Sequence, residues 1–248
     1  MATSISLAAP SMTYRALCKS LSRNRLAGYS LDTDSDSSDA IARYMWNLQI
    51  VAAFSPVLNT LEVAFRNALF EVGTETTAPR GLSTRSVPCW LDASPSILQQ
   101  QEEKDVSEAI TRLGKGTRRL TAGHLVSQLG FGFWIRLCDR PYEHGNKNGP
   151  GIWPTATKRF HNCPKSSRTR AAIRDAFNEI REFRNILAHH QPVWDKPVLK
   201  LHSRAIELIG WMNPHLASVT AHHSQLPPVI GSGHTAWRRV ATESFVVA

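Results

Sequence analysis

The feature that most constrains this fold is the stretch 169–188, where apolar side chains recur at helical spacing. At about 100° per residue they occupy one arc of roughly 120° around the helix axis. These apolar positions are Ile173, Phe177, Ile180, Phe183 and Leu187. We therefore expect a long amphipathic helix whose apolar face packs into a core. Pro192 follows closely and is expected to stop the helix.

The end of this predicted helix carries a cluster of polar side chains. Arg184 falls inside the apolar arc. Just beyond the edge of the arc lies a stripe formed by Arg181, Asn185 and His189. A guanidinium cannot lose its proton, so its burial requires carboxylates, backbone carbonyls or a cleft that receives an anion. We expect Arg184 to be nearly buried and favour the anion-binding cleft. The alternative is that these side chains cap the last carbonyls of the helix.

The charge of the chain favours a polyanionic partner. Its 248 residues include 29 Lys and Arg against 20 Asp and Glu, which leaves a formal net charge of +9. A basic balance of this kind favours association with nucleic acid. The hydrophobic content of 42% is sufficient for a sizeable core.

Cysteine usage and hydropathy predict a soluble, cytoplasmic protein. The cysteines are scattered without a CxxC pair, a pattern typical of reduced thiols. Residues 1–12 lack the basic region and apolar stretch of a signal peptide. No apolar run reaches the ~20 residues of a membrane span, so we expect no membrane partner.

No compact pattern for a metal or a cofactor is present, and we expect neither. The spacing of Cys138, His144, His161 and Cys163 fits no zinc-ligand pattern. The stretch Gly114-Lys115-Gly116 lacks the frame of a phosphate-binding loop. A nucleophile elbow of the GxSxG type is also missing.

Helical periodicity dominates the chain and strand signals are scarce, so the predicted fold class is all-α. The predicted organisation is a flexible N-terminus over residues 1–10, one helical domain over 11–220 and a loosely ordered tail over 221–248. The acidic run at 32–39 is expected to be a solvated loop or a helix start. Further predicted helices cover residues 40–54 and 57–72, separated at Pro56, then 95–113 behind Ser94, 121–129 behind Thr121, and 199–212.

Four blocks of residues occur in order along the chain. They are Tyr44-x-Trp46-Asn47, the helix with Glu62-x-x-x-Arg66-Asn67, the aromatic cluster Phe131-Gly132-Phe133-Trp134, and Arg184-Asn185-x-x-x-His189-His190 followed by Pro192. In this order they resemble the Abi-like (abortive infection) proteins, a branch of the HEPN superfamily of α-helical nucleic-acid-processing domains. The resemblance covers most of the chain. It implies a HEPN-like helical bundle, here with additional helices and long loops.

The resemblance also implies a function. HEPN ribonucleases carry an Arg followed after a short spacer by a His, commonly with Asn directly after the Arg. The implied activity is metal-independent endoribonuclease cleavage in anti-phage defence or by a toxin of a toxin–antitoxin pair. Implied partners are RNA, a second copy of the chain and an antitoxin made of protein or RNA. The implied catalytic residues are Arg184, Asn185 and His189, and the supporting or RNA-binding residues are Glu62, Arg66, Asn67, Arg181 and His190.

RNA cleavage without a metal needs a base, an acid and positive charge on the phosphate. Histidine transfers protons near neutral pH, so His189 suits the acid–base role, while Arg184 offers a forked cation and Asn185 orients the groups. On one helix Arg184 and His189 point about 140° apart. They converge only if the helix bends after Leu187 or if a second subunit completes the site, and we favour a symmetric homodimer.

Two alternatives accompany these expectations. The motif also fits a non-catalytic RNA-binding or dimeric scaffold module that uses the same basic cleft. Glu62 and Arg66 also fit an ordinary intrahelical ion pair, because residues four apart are neighbours on a helix surface.

Overall fold

A computed structural model describes residues 12–31, 38–78, 83–114, 120–145, 151–153 and 155–238. The described residues are 74% helical and include two short strands, so the all-α prediction is confirmed. The helices of the described residues are Met12–Leu21 (α1), Arg23–Ala27 (α2), Ser38–Thr77 (α3), Gln100–Leu113 (α4), Ala122–Gln128 (α5), Phe131–Arg136 (α6), Arg170–Ala188 (α7), Val198–Met212 (α8), Pro214–His223 (α9) and Leu226–Ser232 (α10).

The chain divides into two compact units. We call Met1–Pro56, Arg184–Ser203 and His223–Ala248 the small unit, and Val57–Phe183 with Arg204–His222 the large unit. The sequence predicts a single domain over 11–220 instead. Four helices, α3, α7, α8 and α9, contain residues of both units. Helical periodicity continues across each boundary, so the sequence pattern carries no signal of the division.

Helix α3 runs from Ser38 to Thr77 although Pro56 lies inside it, so the predicted division into two helices is wrong. Proline inside a helix removes one backbone hydrogen bond and costs roughly 3 kcal/mol. On either side of it Phe54 and Val57 are 0% and 1% exposed. Each buried side chain of this size contributes about 1.5–3 kcal/mol. Packing on both sides of the proline therefore outweighs the lost hydrogen bond.

The continuity of α3 also corrects the expectation about apolar length. This helix of 40 residues is long and apolar enough to cross a membrane by length and composition, and 33% of its most apolar window is buried inside the protein. A core helix of a soluble protein meets the same criteria. Length and composition therefore do not distinguish the two cases for α3.

Helix α4 begins at Gln100 and not at the predicted residue 95. Ser94, the predicted cap, pairs instead with Ser83 in an antiparallel hairpin of Ser83–Thr84 (β1) and Ala93–Ser94 (β2). The Ser96 hydroxyl then accepts a hydrogen bond from the backbone N–H of Leu98 at 3.0 Å. Such local side-chain bonds compete with helix formation.

Side-chain caps define other helix starts. Thr121 accepts a backbone hydrogen bond at the start of α5, as predicted, and Thr169 does the same at the start of α7. Helix α9 is not among the helices that the sequence predicts. Asn213 caps this helix and Pro214 occupies its first position, where no N–H is needed.

The predicted loose tail over 221–248 is corrected for its first part. Helix α10 lies within it, Leu226 is fully buried, and the carbonyl of Val229 accepts a hydrogen bond from the Trp46 indole at 2.8 Å. The prolines there lie in the first turn of α10, where they do not disrupt a helix. Predictions for residues 1–11, 32–37, 115–119 and 146–150, and for 239–248 of the tail, lie outside the described residues.

Stacked aromatic rings form the core of the large unit. Phe65 and Phe177 stack with ring centroids 4.0 Å apart, and Phe131 meets Phe65 edge-on at 5.9 Å. Phe131, Phe133 and Trp134 are buried, so the aromatic cluster at 131–134 belongs to the core. Aromatic pairs of this geometry stabilise a core beyond their buried area.

One glycine of α3 tests the packing of the large unit. A Cβ atom built on Gly73 would overlap the indole ring of Trp90, which is 3% exposed. The indole is held by a hydrogen bond of 2.9 Å to the carbonyl of Phe70. We expect Gly73→Ala to lower the free energy of unfolding by about 1–3 kcal/mol, the usual cost of overpacking, although alanine is the better helix former.

Gly123→Ala in α5 is the matched control, because the nearest atom would lie 3.9 Å from the new methyl group. This variant should raise the free energy of unfolding by about 0.4–1 kcal/mol. Urea unfolding measures both changes. Effects of the same sign in the two variants would contradict the role given to the indole.

Candidate functional site

The motif residues lie where α7 ends, and backbone groups close that end. The N–H of His190 donates to the carbonyl of Leu187 at 3.0 Å, and the N–H of Gln191 donates to the carbonyl of Ile186 at 3.1 Å. These two bonds are the Schellman arrangement, which needs a left-handed residue at its centre. His190 has a φ of 55° and takes that place. A non-glycine residue there is uncommon and costs free energy.

The expected burial of Arg184 is wrong, because its side chain is exposed. The buried positions of the last turns are Ile180, Phe183 and Leu187. Viewed along the helix axis, the centre of these three buried positions lies roughly 60–70° away from Arg184, because the direction of the buried stripe rotates along a straight helix. The apolar arc of the whole helix is therefore a poor guide to burial at its last turn.

The structure tests one of the alternatives for these polar side chains, the capping of the helix end. Within the described residues the side chains of Arg184, Asn185 and His189 donate no hydrogen bond, so they do not cap the helix. His189 keeps the helical bond from its N–H to the carbonyl of Asn185 at 2.9 Å. The chain turns only at His190, one residue too late to redirect His189. Arg184 and His189 therefore stay about 140° apart around the axis.

The predicted site residues fall into both units. Arg184, Asn185, His189 and His190 belong to the small unit. The large unit contains the remaining supporting residues, Glu62, Arg66, Asn67 and Arg181. Arg181 donates to the side chain of Asn178 at 2.9 Å. The structure thus brings the four residues of the motif together at one helix end, and it places the other four in a separate compact unit.

Glu62 and Arg66 do not form the expected intrahelical ion pair. Both are described and half-buried, and no contact within ion-pair distance joins them. The Nε of Arg66 is buried and has no hydrogen-bond partner in the described part of the chain. A buried donor without a partner is unfavourable in a folded protein.

Residues of α2 and α3 anchor the segment that follows α7. Asn47, which is 2% exposed, accepts the N–H of the fully buried Val193 through its Oδ1 atom at 2.7 Å. The Trp194 indole donates to the carbonyl of Gly28 at 3.2 Å and lies under the Arg43 guanidinium, 5.2 Å from the ring centroid. These contacts all lie within the small unit and hold the end of the motif in one conformation.

A cleft of about 350 Å³ opens beside this anchored segment. Its lining includes the polar residues His190, Arg25 and Asn47 and the aromatic residues Tyr29 and Tyr44. The guanidinium of Arg25 donates to the backbone carbonyl of His190 at 2.8 Å. The cleft is therefore directly linked to the end of the motif helix.

The two tyrosines of the cleft pack against each other edge-on, with ring centroids 5.4 Å apart and planes at 89°. Tyr29 is 1% exposed, and its burial raises the pKa of its hydroxyl to about 12 against the opposing effect of Arg25. Tyr44 is half-buried. Its ring lines the cleft and packs against Tyr29.

Most residues of the cleft were not predicted as functional. One feature of the sequence could have indicated them: polar residues interrupt an apolar face of α3. Arg43 and Asn47 lie on the same face of α3 as Ile50 and Phe54, and all four are buried. A buried amide on an apolar face needs a specific partner. Periodicity gives no indication that this partner is a backbone N–H far along the chain.

Among the described residues there is no group of three or more His, Cys, Asp or Glu side chains that could hold a metal ion. Cys138 and Cys163 are buried, and burial raises the pKa of both thiols. Neither thiol has the low pKa of a reactive cysteine.

Comparisons with known proteins identify no match, whether among protein families, curated proteins or solved structures.

Removal of the Asn47 side chain tests the anchor. We expect Asn47→Ala to lower the free energy of unfolding by about 1–3 kcal/mol, because the buried N–H of Val193 loses its acceptor. Gln49→Ala, an exposed position of the same helix, should change it by less than about 0.5 kcal/mol. Amide hydrogen exchange at Val193 gives a local readout. Equal exchange rates in the two variants would contradict the anchoring role.

Proposed function

We propose that this chain is a metal-independent endoribonuclease of the HEPN type, acting in the cytoplasm in anti-phage defence or as the toxin of a toxin–antitoxin pair. The observation that carries the proposal is the state of the motif at the end of α7. Arg184 and His189 are exposed, and their side chains have no polar partner within the described residues. The net charge of +9 adds a general attraction to RNA.

The motif has the chemistry that the reaction needs. One His189 takes the proton from the ribose 2′-hydroxyl, whose oxygen attacks the adjacent phosphorus. A second His189, in its protonated form, gives a proton to the leaving 5′-oxygen. The products are a 2′,3′-cyclic phosphate and a 5′-hydroxyl. Arg184 binds two oxygens of the crowded phosphate with its forked guanidinium, and Asn185 orients the reacting groups.

The need for two histidines favours a symmetric dimer. Arg184 and His189 of one chain point about 140° apart, and the helix does not bend between them. A second copy related by a two-fold axis would bring an Arg and a His from each chain to one centre. Arg66, which is half-buried, is a supporting candidate for contacts to RNA on the family resemblance.

The chemistry gives the first functional prediction. The purified protein should cleave single-stranded RNA in the presence of EDTA and leave 2′,3′-cyclic phosphate and 5′-hydroxyl ends, while DNA stays intact because it lacks the 2′-hydroxyl. His189→Ala should lower the cleavage rate about 10²- to 10⁴-fold, the usual contribution of an acid–base group. Arg184→Ala should also remove most activity, and Asn185→Ala should have a smaller effect.

These variants should keep their thermal stability, because Arg184 and His189 are exposed. Arg112→Ala and His215→Ala, which remove an exposed arginine and an exposed histidine elsewhere, are the controls and should cleave like the wild type. Products with 3′-hydroxyl ends, loss of cleavage in EDTA or full activity in His189→Ala would overturn the mechanism. RNA binding without any cleavage would instead favour a non-catalytic RNA-binding module.

The second functional prediction concerns a site that is shared between two chains. An excess of the double variant Arg184→Ala/His189→Ala, refolded together with wild-type chains, should lower cleavage by more than simple dilution does, because each mixed dimer keeps only one Arg and one His at its centre. Light scattering should show a dimer at micromolar concentration. A monomer that cleaves RNA, or activity that falls only in proportion to the dilution, would contradict a site shared between two chains.

A further inference from the structure

We propose that the cleft beside the motif binds one unpaired nucleobase of a single-stranded RNA, next to the phosphate that is cut. The proposal rests on the proposed function and names its substrate class more closely. The cleft has about 350 Å³, near the lower end of the range of about 300–1,000 Å³ that is usual for small-ligand sites. This volume suits a single planar heterocycle.

The walls of the cleft match the faces of a base. Tyr44 offers a half-buried aromatic ring, and Tyr29 fixes that ring edge-on from behind. Leu21, Leu48 and Val51 complete the apolar lining. Bases stack on aromatic rings in proteins that bind single strands, and a ring already held in place loses little entropy when the base binds.

A buried amide supplies a polar contact for the edge of the base. Asn47 is 2% exposed and lines the cleft. The N–H of Val193 requires an acceptor, which identifies the atom that faces it as Oδ1 and assigns Nδ2 to the other side of the amide. Nδ2 donates no hydrogen bond within the described residues. It is free to donate to a ring nitrogen or carbonyl of a base.

The position of the cleft connects it with the cleavage motif. His190 lines the cleft and directly follows His189 in the chain. Arg25 is exposed, also lines the cleft and uses one N–H on the carbonyl of His190, so the rest of its donor fork can reach a phosphate. An apolar pocket with an amide inside and a cation at its rim suits a nucleotide. A paired base would not fit, because its edge is used by the opposite strand.

The test is binding of a short 2′-O-methyl RNA to the wild-type full chain, measured by fluorescence anisotropy at one fixed salt concentration. The 2′-O-methyl group prevents the proposed cleavage, so binding is read alone. A second oligonucleotide of equal length has abasic sites in place of its bases and keeps the same phosphates. We expect the abasic strand to bind roughly 5- to 150-fold more weakly, the range that loss of one stacked base produces.

Substitutions test whether this difference in affinity between the two strands arises in the cleft. Tyr44→Leu should weaken binding of the base-containing strand to the level of the abasic strand and should leave abasic binding unchanged. Tyr44→Phe keeps the ring and should bind closer to the wild type than Tyr44→Leu does. Leu199→Ala, an exposed residue of the small unit that does not line the cleft, should bind both strands like the wild type.

The outcomes separate this proposal from the proposed function. Equal affinity of the wild type for the two strands overturns the base pocket even if Tyr44→Leu does not fold, and so does an equal loss of both affinities in Tyr44→Leu. Absence of binding to either strand overturns it as well. If bases are discriminated through Tyr44 but unmodified RNA is not cut, the pocket stands and the catalytic proposal fails.

Discussion

The hydrogen bond from the Val193 N–H to the Asn47 side chain is the interaction on which the motif region depends. Val193 is fully buried, so its N–H needs a partner, and the partner is an amide on the apolar face of α3. Around it the Trp194 indole and the Arg25 guanidinium bond to backbone carbonyls of the same unit. The chain after α7 therefore has one defined path, and the residues just before it have one defined helix end.

The way in which α7 ends explains why its polar side chains are available. Backbone N–H groups satisfy the last carbonyls, and His190 adopts the left-handed conformation that this requires. The side chains of Arg184 and His189 are not used for capping. Arg136 of the large unit shows what a structural role for an arginine looks like.

Arg136 is neutralised by two carboxylates. Arg136 bonds to the buried Glu102 at 2.5 Å and also to Asp105. Glu102 in turn accepts the hydroxyl of Tyr142 at 2.6 Å, and both this bond and burial raise the pKa of that tyrosine. Such networks hold elements together, because each buried charge is paired. Arg184, in contrast, is exposed and has no carboxylate partner within the described residues.

The sequence by itself determined the helical class, the extent of α7 and the aromatic cluster at 131–134, because these depend on local periodicity. It also located the motif at a helix end. Only the tertiary structure decided that α3 continues through Pro56, that Arg184 is exposed and that Asn47 holds Val193. All three depend on tertiary packing: which side chains are buried around a proline, which face of a helix end is buried, and which groups distant in sequence pair. A local sequence pattern contains no information about them.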